Sequence, residues 1–277
     1  MNAPNTARAI QASFPVRRMD FDFEGVDKYW YAGEPGMTFF WSLLSAMFPD
    51  GEQFFIDSVR NVREQIVADE QRKKDISAFI GQEAMHRKEH GAYNTYLSEK
   101  YGVDLASIEA MNKRSLELLQ ARLTPAQQLA LTSAAEHFTA TMAKHFMSDD
   151  THFDAIADDR MRKLLFWHAV EESEHKAVAF DVLKEVDDSY LLRAGMMAFV
   201  TTMLLSTIAL LSLRLMRQDG QAGNWRAWGR YAKALIGRRG FFTRMTGDYL
   251  DYYRPGFHPN DHDTRALEAS WKQRLAL

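Results

Sequence analysis

The sequence predicts an all-α protein. Three observations carry this: glycine and proline are scarce between residues 52 and 193, apolar residues there recur at spacings of three and four, and no β-rich block interrupts them. Hydrophobic residues make up 46% and charged residues 26% of the 277-residue chain, enough apolar material for a substantial core. Length alone does not choose between one domain and two. With no linker or low-complexity segment in the middle of the chain, one helical domain is the simplest arrangement.

Residues 1–36 read as an irregular N-terminal arm, punctuated by Pro4, Pro15, Gly25, Gly33, Pro35 and Gly36. Helices are expected at 37–48, 51–68, 72–100, 104–121, 125–148, 154–187 and 190–217, so that residues 37–217 form the helical body. In "FPDGEQFF" a break and a restart are expected, with Asp50 capping the second helix. In "LTPAQQLAL", Thr124 can cap, and Pro125 occupies the first helical position, where its missing N–H costs nothing. After residue 217 the glycines return, and "YYRPGFHPNDHD" gives residues 218–277 a turn-rich character. Both ends are expected to wrap over the helices.

The chain contains no cysteine, which excludes disulfides, thiol nucleophiles and every cysteine-ligated metal centre. Any metal must be held by His, Asp or Glu. A net charge of −3 gives no global sign of nucleic-acid binding. The N-terminus has no continuous apolar run before Arg17 and Arg18, so it does not read as a secretory signal. A cytoplasmic protein is expected, with membrane association as the alternative raised by the apolar helix described below.

"IGQEAMHRKEH" places Glu83, His86 and His90 at spacings of three and four, on one face of a helix that turns 100° per residue. "WHAVEESEHKAVAF" repeats the pattern with Glu172 and His175, and His168 lies one turn before Glu172. Two Glu-x-x-His helices are half of a dinuclear carboxylate site in a four-helix bundle; the other half is one Glu from each remaining helix. Glu52 precedes Glu83 by 31 residues and Glu136 precedes Glu172 by 36, each leaving room for an antiparallel helix and a short loop. Small and apolar neighbours suggest that Glu136 faces inward, where an unpaired carboxylate is costly. Two divalent ions need anionic oxygens to balance their charge and imidazole nitrogens to complete their shells, and iron or manganese suits that mixture better than magnesium or calcium.

At this point the chain resembles the ferritin-like di-iron carboxylate superfamily and, more narrowly, the bacterial family labelled "predicted metal-dependent hydrolase". The likeness rests on "PDGEQFF", "QEAMHRKEH" and "GFHPND" and spans most of residues 40–260. It implies a ferritin-like four-helix bundle with additional helices, and Glu52, Glu83, His86, Glu136, Glu172 and His175 as metal ligands. It adds His90, which belongs to the extended motif. The implied cofactor is two metal ions, iron first and manganese or zinc as alternatives.

Several neighbours compete for roles. Glu171 is four residues from His175 but points about 100° away from the shared stripe. His168 is open between a ligand and an outer support, and His258 reaches the site only if the C-terminal segment folds over it. His137 and His145 flank Glu136 off its face and read as hydrogen-bonded or exposed histidines. Metal-bound imidazoles need an outer carboxylate or carbonyl, for which Asp75, Asp154 and Asp181 are candidates.

Twenty uncharged residues separate Arg193 from Arg214, long enough to span a bilayer, yet five are Ser or Thr. The alternatives are a helix buried against the bundle or in a homodimer, and a helix touching lipid. From Arg214 to Arg244 eight Lys or Arg face one acid, Asp219, among Trp225, Trp228, Tyr231, Phe241 and Phe242. Such a segment suits a membrane surface or an anionic, lipid-like substrate; no nucleic acid is expected, because no recognition motif accompanies the charge. Oxidation by activated dioxygen, which needs an electron donor, is the first functional expectation. Hydrolysis of an ester, amide or phosphoester is the second, and metal storage the third.

Overall fold

The structure, a computed structural model, describes residues 12–66 and 70–277. Residues 1–11 of the expected arm, and residues 67 and 68 of the expected second helix, lie outside the described residues. The rest is helical, without a strand among the described residues; one isolated bridge joins Tyr31 to Ile156. The all-α expectation holds.

The first two expected helices are one. Helix α1 (Pro35–Val62) runs through Pro49, and Asp50 is an interior residue, not a cap. Proline lacks the N–H that would bond the carbonyl four residues earlier. That carbonyl, on Ser45, instead accepts from Asn94 Nδ2 at 3.0 Å, while the Pro49 carbonyl accepts from Arg87 Nε at 2.6 Å. A neighbouring helix therefore repairs the ladder, and Glu52 stays in register with Ser45 on one continuous helix.

That neighbour is α2 (Glu70–Tyr101), whose buried face is polar: Gln82, Glu83, His86, Glu89, His90 and Asn94 are all essentially inaccessible. Helix α3 (Leu105–Arg122) packs on α1, capped by Asp104, which accepts from Ser107 N. Helix α4 (Pro125–Met147) begins as its sequence predicts, with Thr124 and Gln127 forming a capping box and Pro125 in the first turn.

The expected helix at 154–187 is divided. Helix α5 (Asp150–Ala155) ends before Ile156, which pairs with Tyr31 of the arm, and Asp158 caps α6 (Asp159–His175). Helix α7 (Val178–Val186) follows across Lys176 and Ala177, which keep right-handed backbone angles. Lys176 Nζ reaches the His262 carbonyl and Thr264 Oγ1, fixing the junction to the C-terminal segment.

Helix α8 (Tyr190–Gln218) lies along α4 and α1. The rest is less turn-rich than expected, because three further helices form: α9 (Trp225–Ile236), α10 (Phe241–Asp251) and α11 (Arg265–Leu275). Trp271 of α11 stacks on Phe166 with ring centroids 4.0 Å apart and donates to the Met147 carbonyl, which seats α11 on α6 and α4. The arm is held by charge: Arg17 bonds Glu171 and Glu174 of α6, and the Asp20 and Phe21 amides donate to the Glu89 carboxylate of α2.

Candidate metal centre

Helices α1, α2, α4 and α6 converge on one buried cluster. Glu52 comes from α1, Glu83 and His86 from α2, Glu136 from α4, and His168, Glu172 and His175 from α6. None is more than 5% exposed, which matters because a charge this deep needs a partner.

His175 Nε2 lies 3.2 Å from Glu83 Oε1, 3.4 Å from Glu136 Oε2 and 3.6 Å from Glu172 Oε1. On the other side, His168 Nε2 is 2.9 Å from Glu172 Oε1 and 3.8 Å from Glu52 Oε1, and His86 Nδ1 is 3.7 Å from Glu172 Oε1. Potential donor atoms form overlapping triads: Glu83, Glu136 and His175; Glu52, His86 and His168; and Glu83, His86 and Glu172. Within each triad these atoms lie within 4.8 Å of one another. The third triad links the other two, sharing Glu83 with the first and His86 with the second.

The hydrogen bonding tests whether metal ions fit. Both carboxylate oxygens of Glu52, Glu83 and Glu136, Oε2 of Glu172, Nδ1 of His86 and Nε2 of His175 are buried with no hydrogen-bond partner among the described residues. Buried polar groups are ordinarily satisfied, so this many converging acceptors constitute a site for cations. The remaining imidazole nitrogens are engaged from outside. His86 Nε2 meets Glu171 Oε2 at 3.0 Å, and His175 Nδ1 meets Gln82 Oε1 at 2.9 Å. Such outer partners fix ring orientation and leave the inner nitrogen free to bind.

The electrostatics agree. Burial, then repulsion from Glu172, pushes the Glu52 carboxyl well above its ordinary range; burial, then Glu136, does the same to Glu83. Burial and then Glu172 raise Glu136 to about 8. Burial opposes the ionisation of His175, but Glu136 and Glu172 overcome it and bring the imidazole to about 9. Burial and then His168 hold His86 well below the usual range, so it is neutral, the form that binds metal. The site therefore favours uptake of positive charge, as protons or as cations.

The structure places His90 one layer out. Its Nε2 meets His168 Nδ1 at 2.6 Å and its Nδ1 meets Ser45 Oγ at 2.8 Å, so both ring nitrogens are engaged and His168 stands between it and the glutamates. The inner position expected of His90 belongs to His168. His258 lies away from the cluster: its Nε2 pairs with Asp181 at 2.8 Å and its Nδ1 accepts from Asn260 N in a turn. Asp181 and Asp75, considered as outer partners, are bonded to His258 and Ser13 instead. Outer support comes from Glu171 and Gln82, each beside an expected ligand in sequence but unmarked by the spacing rule. His137 and His145 bond the Asp248 carbonyl and carboxylate, the hydrogen-bonded role expected of them.

Two apolar cavities approach the cluster, with Phe48, Thr139 and Met142 in the lining of both. One reaches His168 and Glu172; the other, of about 100 Å³, reaches Glu52 and is walled by Leu116, Leu131 and Phe138, with Val200, Met203 and Leu204 of α8.

A family model described as "Predicted metal-dependent hydrolase" matches residues 15–263. Neither the comparison with curated proteins nor that with solved structures finds a match. The chain belongs to that family, and its buried His and Glu cluster points with it to a metal-dependent enzyme.

Proposed function

From this family membership, we propose that the protein is a hydrolase with a dinuclear metal centre, acting on an ester, amide or phosphoester whose body is apolar. The observation that carries the proposal is the convergence of unpartnered carboxylate oxygens and imidazole nitrogens from four helices. Glu52, His86 and His168 would hold one ion, Glu136 and His175 the other, with Glu83 and Glu172 between them. Bound divalent ions supply an activated water and polarise a carbonyl or phosphoryl oxygen. The mixed nitrogen and oxygen set suits iron, manganese or zinc.

The chain's own residues set the conditions. Glu171 and Gln82 orient His86 and His175 from behind. Phe48 packs on both His90 and His168, with ring centroids 4.8 and 4.7 Å away, so the mouth of the site is lined by an aromatic edge rather than by open solvent. Phe48, Met142 and Leu204 would receive the apolar part of a substrate and turn its polar end toward Glu52.

Oxidation by dioxygen, the sequence's first expectation, becomes the second reading, because the family description favours hydrolysis. One observation supports it: two single glutamates and two Glu-x-x-His pairs on four helices match the ligand set of di-iron carboxylate bundles. Metal analysis, a panel of p-nitrophenyl acyl esters and phosphoesters, and oxygen uptake by the ferrous protein separate the two. Hydrolysis predicts ester or phosphoester turnover lost on chelation, without oxygen consumption. Stoichiometric oxygen consumption with no hydrolytic turnover would reverse the order.

A further inference from the structure

Helix α8 is unusual in what it leaves uncovered. It is the helix, among those described, long and apolar enough to cross a membrane, yet only 28% of its most apolar window is buried. One face packs on α1 and α4 through Met197, Val200, Ile208, Leu211 and Leu215. The opposite face carries Leu191 at 80% exposure, Leu210 at 68%, and Phe199 and Leu205 at 43% each. Phe199, Leu205 and Leu210 lie in the run with no charge between Arg193 and Arg214, and Leu191 just before it. A patch of this kind on a soluble surface marks an interaction site.

The neighbouring residues identify the partner. Helix α9 returns beside the C-terminal half of α8, tied to it by Ser212 Oγ and Tyr231 Oη at 2.8 Å. Its outward residues include Arg226 and Lys233, together with Trp225 at 73% and Ile236 at 70% exposure; Arg230 is also exposed but pairs with Glu34 at 2.8 Å, and Arg238 and Arg239 follow in the next loop. Between Tyr190 and Gly247 the acid is Asp219, which is bound to Lys28 and Tyr29. A second protein chain could cover apolar residues, but a cationic border bearing an exposed Trp matches the anionic headgroup layer of a bilayer. The polar, strongly amphipathic α9 suits the interface plane.

We propose that the exposed face of α8, with α9 as its cationic border, docks on an anionic lipid surface without spanning it. The consequence for the site follows from the same helix. Val200, Met203 and Leu204 wall the cavity that reaches Glu52, so α8 would lie between lipid and candidate metal centre. Resting on the hydrolytic reading, this names the substrate class as a lipid or acyl chain drawn from the bilayer.

The test uses the full-length protein with its metal, sedimented with vesicles of phosphatidylcholine mixed with phosphatidylglycerol, and with vesicles of phosphatidylcholine alone. Binding should require phosphatidylglycerol and fall at least ten-fold between about 0.1 M and about 1 M salt, as the screening length shortens from ~10 to ~3 Å. The paired exchange Arg226→Glu and Lys233→Glu should weaken binding on the order of ten-fold or more, and Leu205→Asp with Leu210→Asp should abolish it. These positions are exposed, and Trp225→Ser, at a site 73% exposed, supplies a milder variant if the aspartates disturb folding. No binding, equal binding to both vesicles, or variants that bind like the parent would overturn the proposal. So would a dimer dispersed by Leu210→Asp in protein that ignores vesicles, which would assign the face to a second copy. Vesicle binding needs no turnover, so failure of the hydrolytic reading leaves this result standing.

Discussion

His168 Nε2 lies 2.9 Å from Glu172 Oε1, one helical turn away, while its other nitrogen is backed by His90. This relationship makes His168 an inner residue of the cluster and His90 its support. His168→Ala should therefore lose bound metal, whereas His90→Ala should retain it with affinity lowered roughly 10- to 100-fold. Metal titration of the two apoproteins checks this; equal loss in both, or greater loss in His90→Ala, would contradict the assignment.

Glu171 holds His86 through a 3.0 Å contact and is itself held by Arg17 at 2.9 Å. Replacing it by Ala should lower metal affinity by roughly 10- to 100-fold without removing an inner ligand. Arg17 keeps its two bonds to Glu174, so the fold should survive. Calorimetric titration reports the affinity, and circular dichroism the fold.

Both oxygens of Glu136 lack a hydrogen-bond partner among the described residues, and Oε2 lies 3.4 Å from His175 Nε2. Glu136→Ala should abolish binding at the ion it shares with His175 while leaving helix content unchanged. Full metal occupancy in that variant would show that its carboxylate is not a ligand.

The metal-free protein should lose stability as pH rises from about 6.5 to about 9. Glu136 is raised to about 8 and His175 to about 9, so in this window the folded state binds more protons than the unfolded state. Stability then falls as pH increases, because the native state must release protons that the unfolded chain has already lost. Bound divalent ions replace those protons, so the metal-loaded protein should show a flatter profile and a metal affinity that rises over the same range. Thermal melts of both forms across pH decide the matter.

Asn94 Nδ2 satisfies the Ser45 carbonyl that Pro49 leaves without its helical donor. Asn94→Leu would bury that carbonyl unpaired and should cost about 1–3 kcal/mol in denaturant unfolding. A neutral result would mean that α1 tolerates Pro49 unaided.

That same contact shows where sequence reading stops. "FPDG" predicts a break because the donor that prevents it lies on another helix, about fifty residues away in the chain. Helix α2 is a related case. The middle of its inward face, from Gln82 to His90, is built from Gln, Glu and His, so apolar periodicity there describes a surface helix, and only the repeated Glu-x-x-His pattern signals burial. Spacing located Glu52, Glu83, His86, Glu136, Glu172 and His175, which the structure brings together. It could not rank His90 against His168, because helical phase gives direction, not depth. The outer partners Glu171 and Gln82 were hidden for the same reason. Helices α9 to α11 escaped notice because their stability comes from packing of residues such as Trp271, beyond what short, glycine-bounded segments reveal.

Helices α1, α2, α4 and α6 are expected to share a site for two metal ions. Anomalous diffraction from crystals of the metal-loaded protein, collected at the absorption edge of the metal found by elemental analysis, tests it most directly. Two peaks are expected within the cluster, one beside Glu52, His86 and His168 and the other beside Glu83, Glu136 and His175. A single peak, or none among these residues in protein with demonstrated metal-dependent activity, would contradict it.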